Sequence, residues 1–94
     1  MVILQIEHKV PDFDRWKKAF ESDPVNRKKS GVRRYSILRP VDDPNYIIIN
    51  LEFESLKEAE DTLEALQKLW NKVEGQVMMN PQTRMLDPVE TRDV

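Results

Sequence analysis

The sequence of 94 residues contains no cysteine, one histidine and two glycines. Without cysteine the chain forms no disulfide, offers no thiol nucleophile and cannot bind zinc through sulfur. No apolar stretch approaches the length of a membrane-spanning helix, and the first ten residues are too short and too early charged for a signal peptide. We therefore expect a cytoplasmic protein that has no membrane segment.

The chain also has no large excess of one charge, because it contains 17 acidic and 15 basic residues and its net charge is −2. This balance argues against a general nucleic-acid or acidic-membrane binder. The segment RKKSGVRR, residues 27–34, carries five positive charges, which raises the question of RNA binding. RNA-recognition domains stack bases on aromatic residues of their central strands, and YIIINLEF lacks that pattern. We expect a solvated basic edge and no nucleic-acid partner.

The first half of the chain begins with a strand and a helix. Residues 2–10 alternate between apolar and polar side chains, which predicts a strand. Asp12 follows as the predicted N-cap of a helix. The apolar residues of this helix are spaced to form one stripe, made of Phe13, Trp16, Ala19 and Phe20. Asp23 and Pro24 then predict the N-cap and first residue of a short helical turn that runs through Lys29.

The second half predicts a hairpin and a longer helix. Strands are expected at residues 32–39 and 46–53, and the turn-forming loop RPVDDPN joins them. Ser55 and Glu58 have the S-x-x-E spacing of a capping box, which marks the start of the second long helix. Gly75 is expected just beyond its end. The predicted buried seam of this helix comprises Leu56, Ala59, Leu63, Leu66, Trp70 and Val73.

The end of the chain completes the fold prediction. Residues 76–82 are expected to be irregular or weakly extended, and residues 83–90 to form a last strand with Pro88 at an edge or bulge. The order βαββαβ is the ferredoxin-like arrangement of the α+β class: a four-stranded antiparallel sheet with both long helices on one face. We expect one domain over residues 1–90 and a short tail over residues 91–94.

The strand at residues 46–53 is apolar toward both faces of the predicted sheet. One side carries Ile47, Ile49, Leu51 and Phe53, and the other carries Tyr46, Ile48, Asn50 and Glu52. Two helices cover only one face, so a monomer would expose the other. Burying apolar surface is worth about 25 cal/mol per Å². Covering this face with a second copy is therefore favourable, and we expect a homodimer.

Three segments resemble a known group of proteins: HKVPDFDRWKKAF, RPVDDPNYIIINLEF with the helix behind it, and PQTRMLDPVE. They are similar to the small dimeric α+β barrel proteins, which include the antibiotic-biosynthesis-monooxygenase-like and polyketide-cyclase-like groups. The resemblance covers residues 2–90. It implies a homodimer whose two sheets face each other, with a cavity between sheet and helices in each protomer. Members oxidise or cyclise aromatic polyketides, isomerise lactones or degrade haem, and many have no demonstrated activity.

The resemblance also implies which residues matter. Haem-degrading members use a histidine of the second long helix as the axial iron ligand, and this helix has none. Cofactor-free monooxygenases place an asparagine, a tryptophan and an arginine around an aromatic substrate. The corresponding residue types here are Asn50, Trp70 and either Arg34 or Arg84. We expect no cofactor, no metal, and a small apolar or aromatic ligand in a pocket that includes Trp70, Tyr46 and Arg84.

His8 is the only side chain whose ordinary pKa lies near neutrality. It is expected at the end of the first strand, where it would act as a catalytic acid or base. Asn50 and Arg34 would then orient a carbonyl or enolate oxygen. In the alternative interpretation His8 completes the apolar face and bonds a backbone carbonyl. A metal site with Asp12 and Asp14 is disfavoured, because the chain has no second histidine and both carboxylates suit a helix start.

Two functions from different classes remain open. The first is a homodimeric, cofactor-independent cyclase- or monooxygenase-like enzyme that acts on an aromatic or polyketide-like substrate. The second is a non-enzymatic dimer that binds a ligand or a partner protein. A vacant apolar pocket lined by His8, Asn50 and Trp70 would favour the enzyme. A filled cavity with His8 bonded to the backbone would favour the second function.

Overall fold

The computed structural model describes residues 1–23, 26–73 and 79–94, with the side chains of residues 73 and 79 left undescribed. The elements are β1 (Val2–Lys9), α1 (Phe13–Glu21), α2 (Arg27–Ser30), β2 (Arg34–Leu38), β3 (Tyr46–Phe53), α3 (Leu56–Val73) and β4 (Met79–Leu86). The strands form one antiparallel sheet in the order β2-β3-β1-β4. The ferredoxin-like arrangement is confirmed. Within the described ranges, no helix is long and apolar enough to cross a membrane.

The predicted starts of both long helices are confirmed by their caps. The side chain of Asp12 accepts a hydrogen bond from the backbone N–H of Asp14 at 3.2 Å, at the start of α1. At the start of α3, the Ser55 hydroxyl oxygen accepts from the backbone N–H of Glu58 at 3.3 Å. Each cap satisfies a donor that would lack a partner inside the helix. In the predicted seam of α3, Ala59 and Trp70 are buried, Leu63 and Leu66 are half-buried, and Leu56 at the first position is 51% exposed; the Val73 side chain lies outside the described residues.

The short helix α2 begins later than predicted. Its N-cap is Asn26, whose side chain accepts from the backbone N–H of Lys29 at 3.3 Å. Asp23, the predicted cap, instead accepts from the backbone N–H of Arg27 at 2.8 Å. Pro24 and Gly75, for which helix-end positions were predicted, lie outside the described residues.

The last strand also differs from the prediction. β4 covers Met79–Leu86, so it begins within the segment expected to be irregular or weakly extended and ends before Pro88. β4 pairs only with β1 and is an edge strand. An edge strand tolerates Pro81, because one side of its backbone needs no N–H donor toward a neighbour. Residues 87–94 belong to no helix or strand.

A β-bulge interrupts the pairing of β1 with β4. Glu7 pairs with Gln82 and Lys9 pairs with Met79, so two residues of β4 lie opposite one residue of β1. The two residues are Asn80 and Pro81, and the residue that they face is His8. Asn80 has φ 56°, in the left-handed region. The bulge therefore distorts the sheet edge next to the only histidine.

Alternation along the strands gives the sheet two different faces. The face that packs against the helices, called here the helix face, buries Leu4, Ile6, His8, Ile47, Ile49, Leu51 and Phe53. Trp16 of α1, with Ala59 and Trp70 of α3, completes this core. No helix of the described residues packs against the opposite face, called the open face. It carries Ile3, Gln5, Glu7, Arg34, Ser36, Leu38, Tyr46, Ile48, Asn50, Glu52, Gln82, Arg84 and Leu86.

Gly31, the C-cap of α2, is expected to tolerate no side chain. Its φ is 102°, and a Cβ there would collide with the carboxylate oxygen Oε2 of Glu58. Gly31→Ala should lower the free energy of unfolding by about 1–3 kcal/mol, measured by urea denaturation. In a Glu58→Ala background the collision is absent and only the backbone strain remains, so the cost should be smaller. An equal cost in both backgrounds would contradict the role of Glu58.

Candidate functional site

His8 lies at the centre of the candidate site and is 1% exposed. Its Nδ1 lies 3.2 Å from the carbonyl oxygen of Lys9. A carbonyl oxygen only accepts, so this contact assigns the proton to Nδ1 and the lone pair to Nε2. Nε2 is buried, and no described residue forms a hydrogen bond with it. Burial lowers the pKa of His8, and the hydrogen bond to Lys9 offsets part of that effect. The imidazole is therefore neutral at pH 7 and has an unused basic nitrogen.

An aromatic row connects this histidine to the helices. The ring centroid of Trp16 lies 6.2 Å from that of His8, in an edge arrangement. Phe20 stacks on Trp16 at 5.2 Å, and Tyr35 meets Phe20 edge-on at 5.1 Å. The guanidinium of Arg27 lies over Phe20, 4.0 Å from the ring centroid. Large aromatic side chains therefore pack between α1 and the sheet, and the Trp16 ring packs beside His8.

An open cleft of about 250 Å³ lies between α3 and β4. It is lined by Gln67, Trp70, Asn71, Asn80, Pro81 and Thr83. Thr83 pairs with Ile6, whose side chain is on the helix face, and the bulge residues of β4 lie opposite His8. The cleft and His8 are thus neighbours on the same side of the sheet, although His8 does not itself line the cleft. This volume is near the lower limit of about 300–1,000 Å³ for small-molecule pockets.

The predicted site residues divide between the two faces. His8 pairs with Ile47 and lies on the helix face, where Trp70 is also buried. Asn50 pairs with Gln5 and lies on the open face. The open face also carries the other three predicted residues, Arg34, Tyr46 and Arg84. The sheet separates the two groups, so within one chain the structure does not bring Asn50 and an arginine to His8. A pocket lined jointly by His8, Asn50 and Trp70 is not observed.

Polar side chains of the open face bond to one another across the strands. Gln5 donates to the side-chain oxygen of Asn50 at 3.1 Å. Arg34 donates to both carboxylate oxygens of Glu52, at 2.8 Å and 3.2 Å. These bonds give the polar groups partners within the chain.

Tyr46 forms a further bond on the open face. Its hydroxyl donates to Glu7 at 2.8 Å, and this bond raises the pKa of the phenol. The neutral phenol is therefore the form that the open face stabilises.

Sequence reasoning did not identify the polar residues of the cleft. Gln67 and Asn71 are four residues apart on α3, with Trp70 beside them, so they occupy one helix surface. This spacing was visible in the sequence, although such amides are common on solvated helix faces. Asn80 could not be found in this way, because its placement depends on the bulge.

The described residues do not fit haem. The only histidine of the chain is on β1, and α3 supplies no axial ligand. Nε2 of His8 is buried on the helix face of the sheet, away from α3's exposed surface. Among the residues described, no group of three or more His, Asp or Glu side chains could hold a metal ion.

The buried histidine should make stability depend on pH. The folded state holds the pKa of His8 below its ordinary value of 6.5, so the unfolded chain binds this proton more readily. The free energy of unfolding should therefore be retained above pH 6.5 and should fall as the pH decreases toward the folded-state pKa. Urea denaturation across this window measures the effect. His8→Gln is the control, and an identical pH dependence of stability in both proteins would contradict the role assigned to His8.

Comparisons with known proteins bear on the fold. No protein-family model matches the chain, and a search of curated protein sequences gives no significant match. Solved structures do match. A mutant of SnoaB, a cofactor-independent oxygenase from Streptomyces nogalater, has a TM-score of 0.77 at 12% identity, covering 96% of this chain and 94% of that one. A MhuD mutant with two manganese protoporphyrin IX bound per active site has a TM-score of 0.74 at 16% identity over all of both chains.

A third structure, described as an antibiotic biosynthesis monooxygenase, has a TM-score of 0.70 at 10% identity and covers 96% of this chain and 100% of that one. At identities this low, the structural match establishes the fold of the chain and does not establish its activity. The fold predicted from the resemblance is confirmed: this chain has the ferredoxin-like α+β fold of the antibiotic-biosynthesis-monooxygenase-like proteins.

Proposed function

We propose that the chain is a cofactor-independent monooxygenase- or cyclase-like enzyme that acts on a small aromatic or polyketide-like molecule. The ligand binds on the helix side of the sheet, in the cleft between α3 and β4, and reaches toward His8. One observation carries the proposal: the imidazole is buried and neutral, and its Nε2 lone pair is unused. A buried polar atom without a partner is rare in native proteins and is costly unless a ligand completes it.

The chemistry requires only a base and an electron-rich substrate. Nε2 of His8 accepts a proton from an activated C–H or phenolic O–H group, and the substrate becomes an enolate or phenolate. This anion supplies the electrons that reduce O₂, so the protein need not provide a redox group. The overall reaction at an activated CH₂ carbon is balanced: one CH₂ group and one O₂ molecule give one C=O group and one water molecule. The solved structure of SnoaB belongs to a cofactor-independent oxygenase, and it has the same fold.

We also propose a homodimer in the cytoplasm, in which two open faces cover each other. Ile3, Ile48 and Leu86 are half-buried on this face, and Leu38 is 47% exposed. Three pairs of polar residues between them are already bonded within the chain, Gln5 with Asn50, Arg34 with Glu52 and Tyr46 with Glu7, so these groups keep their partners when covered. Asn50 and Arg34 are assigned to this interface, and their predicted catalytic roles are not retained for the His8 site.

The test compares oxidation of anthrone to anthraquinone by the unchanged protein and by His8→Gln, followed by absorbance. The substitution should reduce the rate by at least about 100-fold, the contribution of a general base. The matched control is Thr62→Val, since Thr62, among the residues described, is also buried with a polar atom that lacks a partner. Its rate should stay unchanged. The rate of the unchanged protein should rise with pH and level off above the lowered pKa of His8. Equal rates for His8→Gln and the unchanged protein would remove His8 from catalysis.

One observation favours the second function, a non-enzymatic ligand-binding dimer. The bond from Nδ1 of His8 to the Lys9 carbonyl is the backbone contact expected of a structural histidine. In that case the ligand binds to the unchanged protein and to His8→Gln alike, and neither protein oxidises it.

A further inference from the structure

The aromatic row, made of His8, Trp16, Phe20 and Tyr35, runs from the candidate site to the protein surface. Phe20 stacks on Trp16 with ring centroids 5.2 Å apart and ring planes inclined by 28°, and Tyr35 meets Phe20 edge-on at 5.1 Å. Exposure increases along the row, because Trp16 beside His8 is 3% exposed and Tyr35 is 44% exposed. The row therefore connects the buried imidazole to water through ring contacts.

Two members of the row lose a single electron readily. Indole and phenol rings are oxidised by one electron far more easily than the ring of phenylalanine or a neutral imidazole. Trp16 and Tyr35 can therefore each carry a radical, and Phe20 provides the contact between them. The chain has no cysteine, so no thiol of its own competes for this role. An oxidised Trp16 thus has a readily oxidised neighbour one ring away.

The surroundings of the two rings favour a radical that ends on Tyr35. An oxidised indole is a cation, and Trp16 is buried, where an unpaired charge is costly. An oxidised phenol releases its proton, and the exposed Tyr35 has water to receive it. The resulting radical is neutral, so the guanidinium of Arg27, 5.1 Å from the Tyr35 ring centroid, does not repel it. The electron vacancy therefore moves outward, from Trp16 to Tyr35.

We propose that Trp16 and Tyr35 form a one-electron path that carries oxidising radicals from the His8 site to the protein surface. This inference rests on the proposed function for the origin of the radical, a peroxyl radical formed when a substrate radical combines with O₂. The peroxyl radical gains one electron from Trp16 and one proton from Nε2 of protonated His8, and it becomes a hydroperoxide. Tyr35 then reduces Trp16, releases its phenolic proton to water and becomes a tyrosyl radical. A soluble thiol returns a hydrogen atom to Tyr35, and two of the thiyl radicals combine as a disulfide.

Pulse radiolysis tests the path without substrate. Azide radicals made by the pulse oxidise tryptophan selectively, and the absorbance bands of the indolyl and tyrosyl radicals are then followed. In the unchanged protein the indolyl signal should decay while a tyrosyl signal grows, at a rate independent of protein concentration. Tyr35→Phe and Trp16→Phe should each lose this tyrosyl growth. The matched controls are Tyr46→Phe on the open face and Trp70→Phe on α3, and both should retain it.

Continuous radiolysis with a dilute thiol tests the protection that the path gives. At equal doses Tyr35→Phe should accumulate oxidised Trp16, detected by mass spectrometry of peptides, while the unchanged protein and Tyr46→Phe keep Trp16 intact. Circular dichroism confirms that each variant is folded. Tyrosyl growth that persists in Tyr35→Phe, its absence from the unchanged protein, or equal oxidation of Trp16 in the three proteins would overturn the inference. Neither measurement uses substrate, so failure of the path is distinguishable from failure of the proposed reaction, which anthrone oxidation by His8→Gln tests.

Discussion

Trp16→Ala is expected to lower the free energy of unfolding by about 3–5 kcal/mol, the usual cost of removing a buried aromatic side chain. Trp16 is 3% exposed and contacts three rings, those of His8, Phe13 and Phe20. Since these aromatic contacts join α1 to the sheet, a cavity there loosens the whole helix. Urea denaturation followed by circular dichroism measures the loss.

The Trp16 prediction has two controls. Trp16→Phe keeps a ring in place and should cost less than half as much. Phe13→Ala removes a half-buried ring from the same helix and should also cost less, because part of that ring already contacts water. A cost for Trp16→Ala no larger than that for Phe13→Ala would contradict the central position of Trp16.

The same substitution should act on His8. Opening a cavity beside the imidazole admits water to Nε2 and reduces the desolvation that lowers its pKa. The chain has one histidine, so a single imidazole signal can be followed by NMR titration. In a folded Trp16→Ala protein the pKa of His8 should move back toward its ordinary value.

Ile48→Asp is expected to convert the proposed homodimer into a folded monomer, raising the dimer dissociation constant by at least about 100-fold. Ile48 lies on the open face, where it pairs with Leu38 on one side and Glu7 on the other. A carboxylate there would be buried at the interface beside Glu7 without a cation. Size-exclusion chromatography with light scattering measures the change.

Val41→Asp is the matched control for the dimer. It makes a similar replacement, of a β-branched apolar residue by aspartate, at a fully exposed position of the loop between β2 and β3. Val41→Asp should remain dimeric, and both variants should keep the circular dichroism of the unchanged protein. A monomeric unchanged protein, or equal dissociation constants for the two variants, would contradict the proposed interface.

Much of the fold follows from local patterns. β3 was predicted at its observed bounds, because its run of β-branched residues is long and turn residues bound it. Asp12 and Ser55 were predicted as caps, since capping depends on backbone groups only a few residues away. The start of β4 was missed, because Asn80 and Pro81 disfavour a regular strand. Only pairing with β1 makes that segment extended.

The candidate site depended more strongly on contacts distant in sequence. The sequence by itself determined that His8 shares a face with Leu4 and Ile6, because side chains alternate along a strand. Only the tertiary structure decided that Asn50 faces the other way, since the pairing of His8 with Ile47 fixes the relative register of two strands. The unused Nε2 and the amide-lined cleft likewise arise where β1, α3 and β4 meet. No local pattern predicts how these three elements pack together, because β1 is far from the other two in the chain.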